Sequence, residues 1–393
     1  MEQRAHIYLL DKQSGNRREA LLRRAGGQEK IAWFEDPAGQ LADHNDAGPF
    51  LLASMLTWMQ DGAAVHVHGT LSSQLLDNLD ELQRIWQRWR PDKYRRVIIT
   101  ADAVQDATSR KAPAVAAFSG GVDATYTVLR HRTDLAGRAS LPLEAALLVH
   151  GFDIELANSE AFSRAEKRAR LLLQDTGIEV LTMRTNIRHL FDQEWEDGFS
   201  LAVGACLSML SSRFGYGLIG SSEPYEQLAL PWGSTPLTDR LASSDNMQIV
   251  HDGADASRGE KVAAIANWPE AAEHVRVCWQ GEDLGINCGR CEKCVRTLLN
   301  FKLAGIEHPS SFAHTRLTSW VPISNQAVAA EWKSIELSAR ASKRPDLARY
   351  ARANLALRHI REALFSIGPL RRLARARKKR TSSSGIAGSR SAK

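Results

Sequence analysis

From Ala114 onward the chain alternates short apolar runs with longer helical stretches, and this alternation restricts the fold more than any other feature. Strand candidates lie at 114–118, 145–150, 179–184, 216–220, 247–251 and 274–278. Between them run stretches such as SEAFSRAEKRARLLLQDTG (159–177) and FSLAVGACLSMLSSRFG (199–215). Strands joined through helices of this length form parallel crossovers. The expected fold class is therefore α/β: a Rossmann-like parallel sheet with helices on both faces.

The first hundred residues read as a smaller α/β unit. AVHVHG (64–69) alternates as a strand, and the helix after it carries Leu75, Leu79, Leu82 and Trp86 on one face until Pro91 stops it. RRVIITAD (95–102) reads as a second strand, and the polar VQDATSRKAP (104–113) as a linker. After Cys294 the pattern turns helical to about residue 365. The expected organisation is a small N-terminal α/β accessory domain over 1–105, a main domain over 114–305, a C-terminal helical extension over 306–365 and a tail over 371–393. No internal repeat is visible.

A chain of 393 residues is long for one core, which favours more than one domain. Its 44% hydrophobic and 24% charged residues are those of a globular protein. No apolar run approaches the roughly 18 residues of a membrane helix. MEQRAHIYLL lacks the apolar core of a secretory signal, so a cytoplasmic protein is expected. The pI of 9.1 comes from the tail, where nine Lys and Arg lie between Arg371 and Lys393 with no acid. Without those nine, 42 basic residues face 45 acidic ones, and the body is close to neutral. The tail reads as disordered; it fits a solvated terminus, or a contact with nucleic acid or an acidic partner.

The most informative turn is AVAAFSGGVDATYTVLRH (114–131). A strand ends, Ser119-Gly120-Gly121 turns, and Val122 begins a helix. Adjacent glycines let the backbone approach a ligand, and the helix N-terminus favours an anion there. Ser119 adds a hydroxyl donor, and Asp123 a carboxylate suited to magnesium beside phosphates. These residues alone equally fit an ordinary Gly-rich turn with a capping serine. They are neither the Gly-x-Gly-x-x-Gly fingerprint nor the Walker loop.

SGGVDAT resembles the Ser-Gly-Gly-x-Asp-Ser/Thr PP-loop of the ATP pyrophosphatases, the adenine nucleotide α-hydrolase-like proteins, which implies a HUP-type domain. Those enzymes cleave ATP between the α and β phosphates and transfer AMP to a carbonyl, carboxylate or amide oxygen. The resemblance implies ATP and Mg2+ at Ser119, Gly120, Gly121, Val122 and Asp123. In LLVHGFD it implies adenine recognition by the backbone of Val149, His150 and Gly151. In IVHDGADASRGEKV it implies that Arg258 and Lys261 act beside the phosphates, with Asp123 completing the catalytic set. The departure is Ala124, where many members carry Ser or Thr. One missing hydroxyl removes a hydrogen bond worth about 1–3 kcal/mol to a charged acceptor. Thr125 points about 100° away on the helix and replaces it poorly.

Four of the five cysteines cluster as Cys278-x9-Cys288-x2-Cys291-x2-Cys294, which points to metal and not to disulfides. Four thiolates suit a closed tetrahedral Zn2+ site, with Gly289 permitting the bend and Arg290, Lys293 and Arg296 offsetting its charge. Four cysteines also satisfy an iron–sulfur cluster. Cys206, in the small-residue helix AVGACLSML, reads as a core residue. PP-loop and cysteine cluster together resemble the QueC-like 7-cyano-7-deazaguanine synthases over roughly residues 114–300. That resemblance implies an enzyme that adenylates an acyl-type substrate for attack by ammonia or an amine, releasing AMP and pyrophosphate.

Loops between the motifs offer Glu223, Tyr225, Trp232, Asp239 and Asp245 as candidates for the second substrate. Two alternatives stand beside the ligase reading. One is an ATP-binding adaptor with weakened turnover, motivated by Ala124 and the extra N-terminal domain, a possible platform for a protein partner. The other is a tRNA-modifying PP-loop enzyme, motivated by the basic tail, although only Cys206 remains as a spare cysteine.

Overall fold

The computed structural model describes residues 4–10, 16–39, 41, 45–106, 110–190, 194–278, 286–317 and 320–366. The basic tail at 371–393 lies outside them. Ten strands form one sheet: β1 (Ala5–Leu9), β2 (Arg17–Arg23), β3 (Glu29–Glu35), β4 (Val65–Ser72), β5 (Ile99–Gln105), β6 (Ala114–Ala117), β7 (Leu143–His150), β8 (Glu179–Thr185), β9 (Tyr216–Gly220) and β10 (Gln248–Asp252). The helices are α1 (Gly48–Asp61), α2 (Ser73–Trp89), α3 (Val122–Arg132), α4 (Ser159–Leu173), α5 (Trp195–Ser208), α6 (Arg258–Ala266), α7 (Pro269–His274), α8 (Glu292–Leu303), α9 (Gln326–Ala341) and α10 (Pro345–Ser366).

The strand order is β10-β9-β6-β7-β8-β3-β2-β1-β4-β5. From β10 to β8 every pairing is parallel. Counted from β6, these five strands have the order 3-2-1-4-5 of a Rossmann half, reversing direction between β6 and β9. The hairpin β2–β3 joins them antiparallel to the N-terminal strands: β3 pairs with β8 through Phe34–Thr185, and β2 with β1. β1, β4 and β5 are again mutually parallel. The N-terminal region thus extends the same sheet.

Packing follows the alternation of each strand. Ile7, Leu22, Phe34, Val67, Val115, Leu147 and Ile249 face one core shared with α1, α2 and α5. On the opposite face, Phe118, Ala146 and Val180 pack with α3, α4 and the segment around α6 to α8. Helices therefore cover both faces over the C-terminal strands. Over β1–β5 only the face toward α1 and α2 is covered by the shared core. A third core around Trp332 joins α8, α9 and α10.

Two sequence expectations shift. The strand expected at 274–278 joins no ladder: α7 reaches His274, and the backbone of 276–278 bonds to the Gly120 carbonyl and the Asn287 side chain instead. The strand expected at 95–102 runs over Ile99–Gln105, so the linker starts later. Helix α1 and strands β1–β3 were not anticipated. Among the described residues no helix is long and apolar enough to cross a membrane.

Candidate functional site: a glycine turn beside a cysteine knuckle

The turn after β6 stands where the strand order reverses. Ser119 is exposed; Gly120 takes φ +72°, a left-handed conformation that favours glycine. Gly121 is the extended N-cap of α3, and no side chain caps that helix. The first N–H groups of a helix lack partners within it, so they point toward whatever lies at the turn. Two contacts fix the turn from behind. The Arg276 N–H donates to the Gly120 carbonyl (2.7 Å), and Phe118 N–H to Leu147 O (2.8 Å).

Gly220, at the end of β9, lets the neighbouring strand approach α3. A Cβ there would lie 2.9 Å from the carbonyl carbon and oxygen of Asp123. Sequence reading missed Gly220; its signal was a glycine closing the apolar run YGLIG.

Asp123, Lys261 and Arg258 come together. The Lys261 ammonium lies 3.3 Å and the Arg258 guanidinium 3.4 Å from the two Asp123 carboxylate oxygens. Lys261 is buried and also donates to the Ser221 carbonyl. It sits in the first turn of α6, whose Ser257–Glu260 capping box fixes the helix start. Arg258 reaches Thr297 on α8 as well (3.4 Å). Ala124 lines the adjoining cavity, whereas Thr125 is fully buried with its hydroxyl unpaired among the described residues, so it offers nothing to the turn.

A cavity of about 260 Å³ opens beside this turn, between the carboxyl ends of β6, β7 and β9. Its wall is mostly apolar: Val149, Phe152 and Ile154 on one side, Trp195, Phe199 and Cys206 of α5 on the other. Few polar groups in an apolar concavity is the make-up of a small-molecule site. The i, i+4 pair Trp195 and Phe199 went unnoticed in the sequence. Val149 lines the cavity, but His150 stacks its ring on Phe162 (4.4 Å, 11°) and bonds the Glu155 carbonyl (2.9 Å). Burial lowers the His150 pKa, which favours the neutral ring. Gly151 takes φ +113°, and a Cβ on it would collide with the Thr185 carbonyl. Cys206 is fully buried, and burial pushes its thiol well above the ordinary range, so it is a core residue and a poor nucleophile.

The loop candidates for a second substrate divide. Asp239 is fully buried and engaged by Ser234 (2.6 Å) and His251 (2.7 Å), and Asp245 binds Ser72 at the start of α2 (2.6 Å); both hold the fold. Glu223 is partly buried, which raises its pKa, and accepts from Ala229 N–H (2.9 Å). Trp232 packs on Phe199 with its indole N–H unpaired among the described residues, and Tyr225 is exposed.

The four clustered cysteines converge: their sulfurs all lie within 4.8 Å of one another and could hold a metal ion. Backbone N–H groups of Cys288, Arg290 and Cys291 point at the sulfurs of Cys278 or Cys288 (3.3–3.5 Å). Gly289 takes φ +70°, and a Cβ there would collide with the His314 carbonyl. The fully buried Asn287, which no sequence signal singled out, receives Val277 N–H (2.8 Å) and donates to Val275 O and Ser311 O (2.9 Å each). Cys278 is two residues from Arg276, whose N–H holds Gly120. Cys291 occupies the N-cap position of α8, whose Thr297 meets Arg258. The cysteine knuckle is thus wired to both sides of the turn through the backbone at 276–278 and through α8.

Compared with known proteins, the chain matches no family model, no curated protein and no solved structure.

Proposed function

We propose that the protein is a PP-loop, QueC-like ATP pyrophosphatase that adenylates an acyl-type oxygen, with a HUP-type sheet carrying the site. The observation that carries this reading is the convergence of Asp123, Lys261 and Arg258 on an uncapped helix N-terminus at the reversal of strand order. In this scheme Ser119, Gly120 and Gly121 cradle the pyrophosphate, and the dipole of α3 adds to the attraction. Asp123 would hold a magnesium ion there, which would supply charge neutralisation of the phosphates. Lys261 and Arg258 then exchange their contact with Asp123 for the charge that develops between the α and β phosphates. The adenine enters the apolar cavity beside Val149. The acyl substrate approaches from the loop side, near Glu223 and Trp232, and ammonia or an amine attacks the adenylate.

The cysteines suit zinc. Four sulfurs about 2.3 Å from one ion lie about 3.8 Å apart, and those of Cys288 and Cys294 are 3.8 Å apart. The Cys278 sulfur first, and burial after it, push the Cys291 thiol up to about 12, so a thiolate there calls for a cation. With all four positions taken by protein, the ion's role is to hold 276–278 and α8 in place.

Radiolabelled pyrophosphate exchange into ATP, with candidate carboxylic acids and amides, tests the activity. Exchange with AMP as product supports it; ADP as product overturns it. Ala124 at the cavity edge favours a second reading, an ATP-binding adaptor. Calorimetric ATP binding with no AMP formed across the whole substrate set would select that reading.

A further inference from the structure

The N-terminal strands gather a second cluster on the sheet face turned away from the core. In the parallel register of β1 and β4, His6 lies opposite His66 and Tyr8 opposite His68; β4 then sets His66 opposite Thr100 of β5. Alternate residues of a strand share a face, and Ile7, Val65 and Val67 occupy the buried one. Two imidazoles therefore meet the carboxylate of Asp102. The His66 Nε2 lies 2.9 Å from Asp102 Oδ1, and the His68 Nδ1 3.8 Å from Oδ2. One ligand atom from each of the three residues lies within 4.8 Å of the other two.

We infer that His66, His68 and Asp102 form a binding site for a divalent transition-metal ion, separate from the cysteine knuckle and from the turn at Ser119. Two imidazole nitrogens and one carboxylate oxygen suit borderline ions such as zinc, nickel or copper better than magnesium or calcium, which prefer all-oxygen shells.

The surroundings orient both rings. The second nitrogen of His66 sits 2.8 Å from the Thr100 hydroxyl, and that of His68 3.2 Å from His6 Nδ1. With His6 accepting there, the His68 Nδ1 lone pair faces Asp102. Tyr8 stacks on His68 (4.1 Å, 7°), and the Arg23 guanidinium lies 5.1 Å over Tyr8. Partners on the outer nitrogens are what fix tautomer and direction in metal-binding histidines. An ordinary His–Asp ion pair accounts for His66 at 2.9 Å, whereas His68 at 3.8 Å lies beyond hydrogen-bond distance. It leaves unexplained why a second oriented imidazole converges on the same carboxylate. Asp102 is exposed, so an ion with three protein ligands keeps positions open to solvent or to a small anion.

The test uses the full chain without a histidine tag, its cysteine site saturated with zinc, and Ni2+ as the probe. Calorimetry is expected to show one further equivalent of Ni2+. His68→Gln and Asp102→Asn should each weaken it by about 10- to 100-fold, with zinc content unchanged as the check on folding. With Cu2+ as a second probe, electron paramagnetic resonance should show coupling to two nitrogens in the parent chain and to one in His68→Gln. No additional equivalent, or Ni2+ binding and Cu2+ spectra that survive His66→Gln/His68→Gln, would overturn the site.

Discussion

Helices α2 and α3 both follow a parallel strand of the same sheet, yet their N-termini are treated in opposite ways. At α2, Ser72 is the N-cap and accepts from Leu75 N–H (3.1 Å). Asp245, from 173 residues further along the chain, receives the Ser72 hydroxyl (2.6 Å) and Gln74 N–H (3.3 Å). The chain's own carboxylate thus occupies the anion position of α2. At α3 the N-cap is glycine, no side chain caps the helix, and Lys261 and Arg258 stand in front of it. Orphan N–H groups at a helix start need a partner. One helix takes that partner from the fold; at the other, on the proposed reading, the place is left for a ligand. That reading makes the first a stability device and the second a functional one where local geometry alone looks alike.

The largest expected effect breaks the comparison from one side. If the cysteines hold zinc and the protein forms AMP as proposed, Cys294→Ser or treatment with a strong chelator should abolish AMP formation and lower the melting temperature, because Arg276 and α8 lose their anchor. Proteolysis should then open the region around 276–303 before the N-terminal strands. Equal protection of both regions after metal removal would sink the claim that the knuckle supports the turn. Next, Lys261→Met should lower the ATP–pyrophosphate exchange rate by about 10²- to 10³-fold, with a denaturation midpoint close to that of the parent. The converse is Asp245→Ala, which should cost about 1–2 kcal/mol of stability by urea denaturation and leave the exchange rate unchanged. If Asp245→Ala abolished exchange at unchanged stability, the roles assigned to the two helix ends would be reversed.

What the sequence revealed follows from how local each signal is. The turn, its glycines and the helix after it lie within eighteen residues, and the x2 spacings of the cysteines are local too. Helix α2 was legible because Leu75, Leu79, Leu82 and Trp86 form one apolar stripe. Helix α1 gave no stripe: from Gly48 to Met59 every residue is buried, so no period stands out. Strand 274–278 was misread because apolar burial looks the same whether a backbone bonds to a strand or to Asn287. Arg276, Asn287 and Gly220 serve the site through single long-range backbone approaches, which leave no pattern along the chain. The pairing of β3 with β8, which merges the two halves into one sheet, likewise depends on a contact about 150 residues apart.

Ala124 offers the smallest effect and the finest test of the contrast between α2 and α3. It lies in the first turn of α3, and its small side chain borders the cavity. At α2 the corresponding end is supplied with a serine hydroxyl by Ser72; at α3 the nearest hydroxyl on the helix, Thr125, faces the core. Ala124→Ser restores a donor without changing the backbone, and the cavity beside it leaves room for one oxygen. A hydrogen bond to a charged phosphate oxygen contributes about 1.5–3 kcal/mol before the cost of fixing the rotamer. ATP affinity by calorimetry should therefore tighten by roughly 10-fold, a shift of about 1.4 kcal/mol. A gain confined to affinity would mean that Ala124 weakens only the grip on ATP. A larger gain in exchange rate than in affinity would place the missing hydroxyl on the transition state. No change in either would mean that the phosphates do not sit over the first turn of α3, and the assignment of that turn would fall.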